Sequence, residues 1–553
     1  MSRNYILSAL ILVLATNGFA QNLKLVSEVD QGPIADALVY SLRSNSSAIS
    51  DHQGIVDLTV FSINDSLYIQ HQSYLDYSFF YSVNTDYEVK LKEKSIKLEE
   101  LVFSVNRVKQ VSQNVPHRVE TVSAREIAFA NAQTSADALE VTGEVFIQKS
   151  QLGGGSPMIR GFAANRILLN VDNVRMNNAI YRNGNLQNII SVDANSIDQM
   201  EVIFGPGSVV YGSDALGGVI NVYTLSPSLS NDQKLSVNGS ADVRYSSAAN
   251  EKMVHADLSG SNTTFGFLTS LSYSDYDDLQ MGSIGNDEYR RLNYVVSSDG
   301  VDRMVDNEDP DLQKFSGYSQ FNALQKFIWK PMSAMELTAS FQYAGISDVP
   351  RYDRLIQYKN DTLRYAEWYY GPQTWMQAAL QMKYVATNGM FDELNVKVGY
   401  QEARESRNSR EFNDPILVIR DEQVNIISLT ADFSKESGTQ HMFYYGLSTA
   451  FNKVYSTGQT VNITDESSAD YASRYPNGST LNNYGVYINY EYAKSEKLIF
   501  QAGMRYSQFI LNADMDTTFY KFPFSNIGQN NNALNGGLGM VWKPAADRVF
   551  NLN

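Results

Sequence analysis

The chain has no cysteine in 553 residues. That excludes a disulfide framework, a thiolate metal site and a cysteine nucleophile. Histidine is scarce too: His52, His71, His117, His255 and His441 are the only five, too scattered for a metal signature. Charged residues make up 19%, against roughly 25% in soluble proteins. The basic share is the smaller one, 44 Lys and Arg against 60 Asp and Glu, for a formal charge of −16. Such a chain repels phosphates, which argues against a nucleic-acid partner. No segment beyond the N-terminus has 18 consecutive apolar residues, and mean hydropathy is −0.29, so no transmembrane helix is expected. No Ser-His-Asp arrangement, catalytic carboxylate pair or metal triad can be assembled, so neither an enzyme nor a resident cofactor is expected. What is plentiful is aromatic, with 35 Tyr and 26 Phe.

The N-terminus has the layout of an export signal. Arg3 supplies charge, residues 5–15 are apolar apart from Ser8, and Gly18, Phe19 and Ala20 precede a cleavage point after Ala20. An exported chain without a transmembrane helix can span a bilayer only as a closed barrel. From about residue 234 the pattern has period two. Phe265, Phe267, Thr269, Leu271 and Tyr273 alternate with Gly266, Leu268, Ser270, Ser272 and Ser274. Phe500, Ala502, Met504 and Tyr506 alternate with Gln501, Gly503, Arg505 and Ser507. Such strands read as about 10–14 residues, longer than the usual 5–6 and enough to cross a bilayer. Short turns near 262, 331–334, 388, 435–438, 493–496 and 544–547 alternate with long polar segments at 277–317, 345–372, 405–421, 454–480 and 512–532. Lipid-out, lumen-in alternation with loops long on one side is the layout of a bacterial outer-membrane barrel; a soluble β-sandwich also alternates but lacks that asymmetry. About twelve strands and the start of a thirteenth fit into 227–553.

Three regions separate the signal, 1–20, from the barrel. Residues 21–93 read as a small β-sandwich, with turns at Gly32-Pro33 and at 51–54. Residues 94–111 read as a linker containing Leu98, Glu99, Glu100, Leu101, Val102, Phe103 and Ser104, an apolar stretch beside carboxylates. That stretch suits an ordinary edge strand or one that adds itself to a partner's sheet. Residues 112–226 read as a mixed α/β unit. Ser123 and Glu126 form a capping box, 135–140 a second helix, and 167–171, 174–176 and 200–204 strands. Its glycine clusters lack the spacing of a nucleotide loop.

Two resemblances order these regions. Residues 21–93 resemble a carboxypeptidase regulatory-like domain, with Asp51 to Gly54 at its turn and Tyr74 at its late aromatic position, although no peptidase motif is present. Region 112–226, in "SPMIRGFAANRILLNVDNVRMNN" and "IDQMEVIFGPGSVVYGSDALGGVINVYT", resembles the plug domain of TonB-dependent outer-membrane receptors. The matching residues are Arg160, Gly161, Asn165, Arg166, Asp172, Arg175, Glu201, Gly205, Pro206, Tyr211, Gly212, Gly217, Gly218 and Asn221.

The resemblance implies a mainly β protein, a 22-stranded type of barrel filled by a plug, in the outer membrane of a Gram-negative bacterium. The plug and N-terminal domain would face the periplasm. It makes 98–104 the TonB box, which pairs with the periplasmic domain of TonB and so couples to its inner-membrane energising complex. The other implied partners are outer-membrane lipid and the solute. The plug stretch is similar to plugs of the haem and haemoglobin receptor branch and of some siderophore receptors, so an iron chelate or haem is expected, with glycan and cobalamin open and a porin or adhesin as a rival class. Tyr181, Arg182, Asn183, Asn185 and Gln187 are expected at the solute-facing plug apex, with plug–barrel hydrogen bonding as the other use. Tyr352, Tyr358, Tyr365, Tyr369 and Tyr370 suit stacking on an aromatic chelate, or an interfacial girdle. Since family barrels close with 22 strands, the chain also reads as a fragment ending inside strand thirteen.

Overall fold

The computed structural model describes residues 22–553 apart from 83–86, 94–100, 103–106, 109, 182–188, 299, 387–388 and 546–547. The expected signal segment lies outside them. The chain divides into two compact units, Met1–Glu99 and Glu100–Asn553.

The first unit has a three-stranded sheet, Ile55–Asp57, Asn22–Ser27 and Tyr87–Leu91, and a four-stranded one, Ser46–Ile49, Leu38–Ser41, Ser66–His71 and Tyr74–Phe80. Alternate residues of both turn inward, and Leu23, Leu25, Val39, Val56, Leu67 and Ile69 form one core with no solvent exposure. The turn before Ile55 is shaped by Asp51, whose carboxylate accepts the Gln53 and Ile55 N–H groups, both at 2.9 Å.

In the second unit, residues 118–224 build a five-stranded sheet in the order Arg118–Ser123, Ile197–Phe204, Gly218–Thr224, Ile167–Val171, Val174–Arg175. Only Ile167–Val171 and Gly218–Thr224 are parallel. Both of these strands are apolar almost throughout and buried on both faces. Helix Ala124–Ala130 carries the Ser123–Glu126 capping box and ends at Asn131 with φ 52°. Helix Ser135–Glu140 opens with a second box, Thr134 with Asp137, whose shorter acid hid it from the usual Glu/Gln pattern.

Around this plug winds one antiparallel path of thirteen strands: Ser236–Ser246, Glu251–Ser261, Phe265–Tyr276, Tyr318–Met332, Met335–Ile346, Gln373–Val385, Glu393–Glu411, Ile416–Ser437, His441–Asn462, Thr480–Ser495, Leu498–Asp514, Asn526–Ala545 and Arg548–Leu552. Three short loop strands bring the sheet to sixteen. Among the described residues the first and last strands of the path are not paired with each other. The alternation is inverted relative to a soluble sheet. Leu271, Tyr273, Val486, Ile488, Phe500, Met504 and Tyr506 are exposed, while Ser270, Ser272, Asn489, Gln501 and Arg505 between them are buried. An apolar band this long far exceeds the patch a water-soluble surface carries, so the surrounding solvent is lipid.

Two expectations need correction. Several strands are longer than 10–14 residues, reaching 22 in Ile416–Ser437 and His441–Asn462. The polar segment 405–421 is not a long loop: the strands Glu393–Glu411 and Ile416–Ser437 run through it and leave only 412–415 as a turn. Polarity was misread as loop there. A ladder keeps its backbone hydrogen bonds for as long as both strands continue, whatever solvent bathes the side chains.

Candidate functional site

The plug motif residues are chiefly turn formers, and the turns bring a few of them to the seam with the barrel. Asp172 (φ 50°) and Asn173 (φ 62°) are the central pair of a two-residue hairpin between Ile167–Val171 and Val174–Arg175. Positive φ at both positions is what such a tight turn requires, and Asp and Asn tolerate it. The buried Asp172 carboxylate accepts the Thr224 N–H at 2.9 Å, its hydroxyl at 2.7 Å and Gln342 Nε2 at 2.9 Å, and lies 3.0 Å from Lys326 Nζ. Lys397 Nζ donates to its backbone carbonyl. Burial pushes this carboxyl up, but Lys326, Lys397 and Thr224 outweigh burial and hold it below its ordinary range.

A second such turn is Arg160 (φ 49°) and Gly161 (φ 83°), across which Ile159 and Phe162 exchange backbone hydrogen bonds of 3.0 and 2.8 Å. Phe162 fills the space a Cβ on Gly217 would need. Asn165 and Arg166 lie in the 3-10 turn Ala164–Arg166, and the Arg166 carbonyl accepts the Gly217 N–H at 2.8 Å. Gly205 and Gly212, each at φ 93°, flank Pro206 and the one-turn helix Ser208–Tyr211, while Gly218 packs flat on the Ile203 carbonyl. Asn170 donates to Asn221 at 2.8 Å, and Asn221 to Tyr211 at 3.4 Å. Glu201, fully buried, accepts from Gln199 at 3.0 Å, and Arg175 pairs with Asp214.

The described residues of the linker are docked on the second unit. Leu101–Val102 pairs antiparallel with Gln110–Val111. Val102 has no solvent exposure and packs with Val115, Val119, Val210, Tyr211 and the barrel's Tyr487. Arg107 then reaches the wall: it lies 3.2 Å from Asp432, which also accepts the Tyr487 hydroxyl at 2.9 Å, and it stacks 4.8 Å above the Tyr211 ring. Burial disfavours the Arg107 charge, but Asp432, Tyr487 and Tyr211 together more than restore it. Leu98, Glu99, Glu100, Phe103 and Ser104 lie outside the described residues.

At the other end, the plug turn at Ala179 and Ile180 is held by the barrel. Asn452 accepts the Ala179 N–H at 3.1 Å, and the Tyr475 hydroxyl reaches the Ile180 carbonyl at 3.4 Å. Tyr181 is half-buried against this cluster, whereas Arg182, Asn183, Asn185 and Gln187 lie outside the described residues. Arg474, beside Tyr475, bridges Glu405 at 3.1 Å and Glu422 at 3.3 Å. Of the loop tyrosines, Tyr352 is buried under Arg291, Arg364 covers Tyr365, and Arg351 stacks on Tyr370 and on Trp368, the latter at 4.9 Å. Of the histidines, burial pushes His117 down, His255 bonds Ser272 at 2.7 Å, and His441 stacks on Tyr490 and Tyr492. In the acidic run from Asp306 to Asp311, Asp311 is taken by Arg290 at 2.9 Å.

Between these charged points the seam consists of neutral hydrogen bonds from lumen amides to plug carbonyls. Gln320 bonds Ile190 at 2.7 Å, Asn322 bonds Ser191 at 3.1 Å and Gln401 bonds Arg175 at 2.7 Å. The residues that carry it, Lys326, Lys397, Gln342, Asp432 and Arg505, were not singled out from the sequence. Their signal was polar character at the lumen-facing parity of alternating strands.

A plug pinned by polar contacts within a lipid-facing barrel defines a plugged outer-membrane barrel. Two family models match: the TonB-dependent Receptor Plug Domain over 111–219 and the TonB dependent receptor-like β-barrel over 332–552. The chain belongs to the TonB-dependent receptors, a family of outer-membrane plugged barrels. It is 38% identical over 149 residues to the Vitamin B12 transporter BtuB of Vibrio vulnificus (strain CMCP6), covering 26% of this chain and 23% of that protein. It is 29% identical over 190 residues to the iron-regulated outer membrane virulence protein of Vibrio cholerae, covering 33% and 27%. The fold is similar to the FrpB iron transporter from Neisseria meningitidis, with TM-score 0.59, 15% identity, and 79% of this chain and 63% of that one covered. It is also similar to the copper transporter OprC, with TM-score 0.60, 14% identity, and 77% and 61% covered. The chain thus spans less than two thirds of these solved structures and about a quarter of the curated relatives it matches.

Proposed function

We propose that this receptor imports a scarce solute by energy-coupled transport, and that the solute is an iron chelate, a siderophore or haem. The observation that carries the reading is the pinned plug. With Asp172 held by Lys326 and Arg107 by Asp432, no solute passes until those contacts break, so transport needs work delivered to the plug. TonB delivers it by strand addition to 98–104, and the solute contacts the apex around 181–187. The buried Val102 must leave its pocket first, at about 1.5–3 kcal/mol for one such side chain. The N-terminal unit acts as a carboxypeptidase regulatory-like domain ahead of the box. Cobalamin is the second reading, favoured by the Vibrio relative of that name.

Growth on ferric siderophores or haem as sole iron source, and uptake of labelled cobalamin, separate the two. Deletion of 98–104 should abolish uptake while leaving binding. Uptake that survives the deletion would mean a passive porin instead.

A further inference from the structure

A cavity of about 50 Å3 lies between the plug turn at 173–175 and the barrel wall. Four cations line it, Arg107, Arg175, Lys397 and Arg505, and no carboxylate does. Three of them lean on oxygens outside the cavity. Arg107 pairs with Asp432, Arg175 with Asp214, and Lys397 donates to the Asp172 carbonyl. Arg505 is different. It is 5% exposed, and its guanidinium donates only to neutral oxygens: Ser507 Oγ at 2.9 Å, Ser448 Oγ at 2.9 Å and the Val210 carbonyl at 3.1 Å. No Asp or Glu among the described residues comes within 4.0 Å of it.

The wall is shaped to keep this charge. A Cβ on Gly485 would occupy the place of the guanidinium, and one on Gly212 would touch it at 3.4 Å. Three further groups of lining residues have no partner among the described residues: the buried Arg107 Nε–H and the Asn173 and Asn483 amide oxygens. A half-turn of the Asn483 amide would offer its NH2 to the cavity instead. A buried guanidinium without a counter-charge is costly, and three more cations facing it add repulsion. An anion removes both penalties. Guanidinium groups match oxyanions through paired N–H donors, and the space suits a small one.

We infer that this cavity is an oxyanion site, holding a phosphate or carboxylate group between the barrel's Arg505, the linker's Arg107 and the plug's Arg175. The anion bridges plug and barrel, so its occupancy fastens the plug and its loss loosens it. The oxyanion is either free phosphate or a group carried on a solute.

Thermal unfolding of the full chain in neutral detergent tests the site, comparing sodium phosphate with sodium chloride at matched ionic strength. Phosphate should raise the midpoint further than chloride and saturate in the millimolar range. Arg505→Gln should remove that increment, and Arg505→Lys should keep part of it. If Arg505→Gln does not fold, Thr430→Asp places a carboxylate in the cavity wall and should abolish the phosphate response. Equal responses to the two salts, or a saturating response unchanged in the folded variants, would overturn the proposal. A second arm identifies the source. Cyanocobalamin carries a phosphodiester and cobinamide does not. Competition with phosphate by the first alone supports a solute-borne oxyanion at this site; competition by neither, with the phosphate effect intact, supports free phosphate.

Discussion

Asp172 joins one plug turn to two barrel strands, so its chemistry sets how firmly the plug sits. Asp172→Asn keeps the shape but leaves Lys326 and Lys397 buried without their counter-charge. The expected cost is about 3–5 kcal/mol, the usual penalty for breaking a buried pair, read as earlier plug proteolysis and a lower unfolding midpoint. The pH dependence has a definite sign. The folded carboxyl lies below its ordinary value of 3.8, so its stabilisation is complete above that value. It is lost as pH falls from there through the lower folded value. Acidification below about pH 4 should therefore loosen the plug in the wild type and change little in Asp172→Asn. Asp172 was legible in the motif itself. Its partners were less so: Gln342, Lys326 and Lys397 lie on the lumen faces of barrel strands, but only assembly shows which lumen residue meets which turn.

Between residue and molecule, the linker is the element with most to move. Its hairpin buries Val102 and ends on the Arg107–Asp432 pair. Asp432→Asn should free it. Because the chain has no native cysteine, a single nitroxide at Val108→Cys reports this directly. The spectrum should be immobilised in the parent and mobile with Asp432→Asn; equal spectra would mean the pair does not restrain the linker. The helix at Ser135–Glu140 gives a milder test. Thr134→Ala removes its cap and should cost about 1 kcal/mol in chemical denaturation. The linker's apolar pattern was visible in the sequence, but burial was not, since the pocket is completed by Tyr211 and Tyr487, more than 100 residues away.

At the scale of the whole molecule the barrel is an inverted sheet, and substitutions should obey the inversion. Val486 is 61% exposed on the lipid face. Val486→Arg should cost about 2–4 kcal/mol if it lies near the midplane, measured as folding into lipid vesicles by heat-modifiable gel mobility. Val486→Leu should be neutral. The same face explains how a chain with negative mean hydropathy resides in a membrane. Only alternate residues of each strand meet lipid, and the rest meet a polar plug.

The sequence by itself determined the period-two strands, the absence of a spanning helix, the plug turns and the family, because each rests on local spacing or on backbone conformations that few residues tolerate. Strand ends, the docking of the linker and the charge pattern of the seam were decided only by the tertiary structure. Ladders continue for as long as their neighbours do, and a buried charge is defined by what surrounds it. Residues such as Arg107 and Asp432, 325 positions apart, become one group only when the plug sits inside the wall.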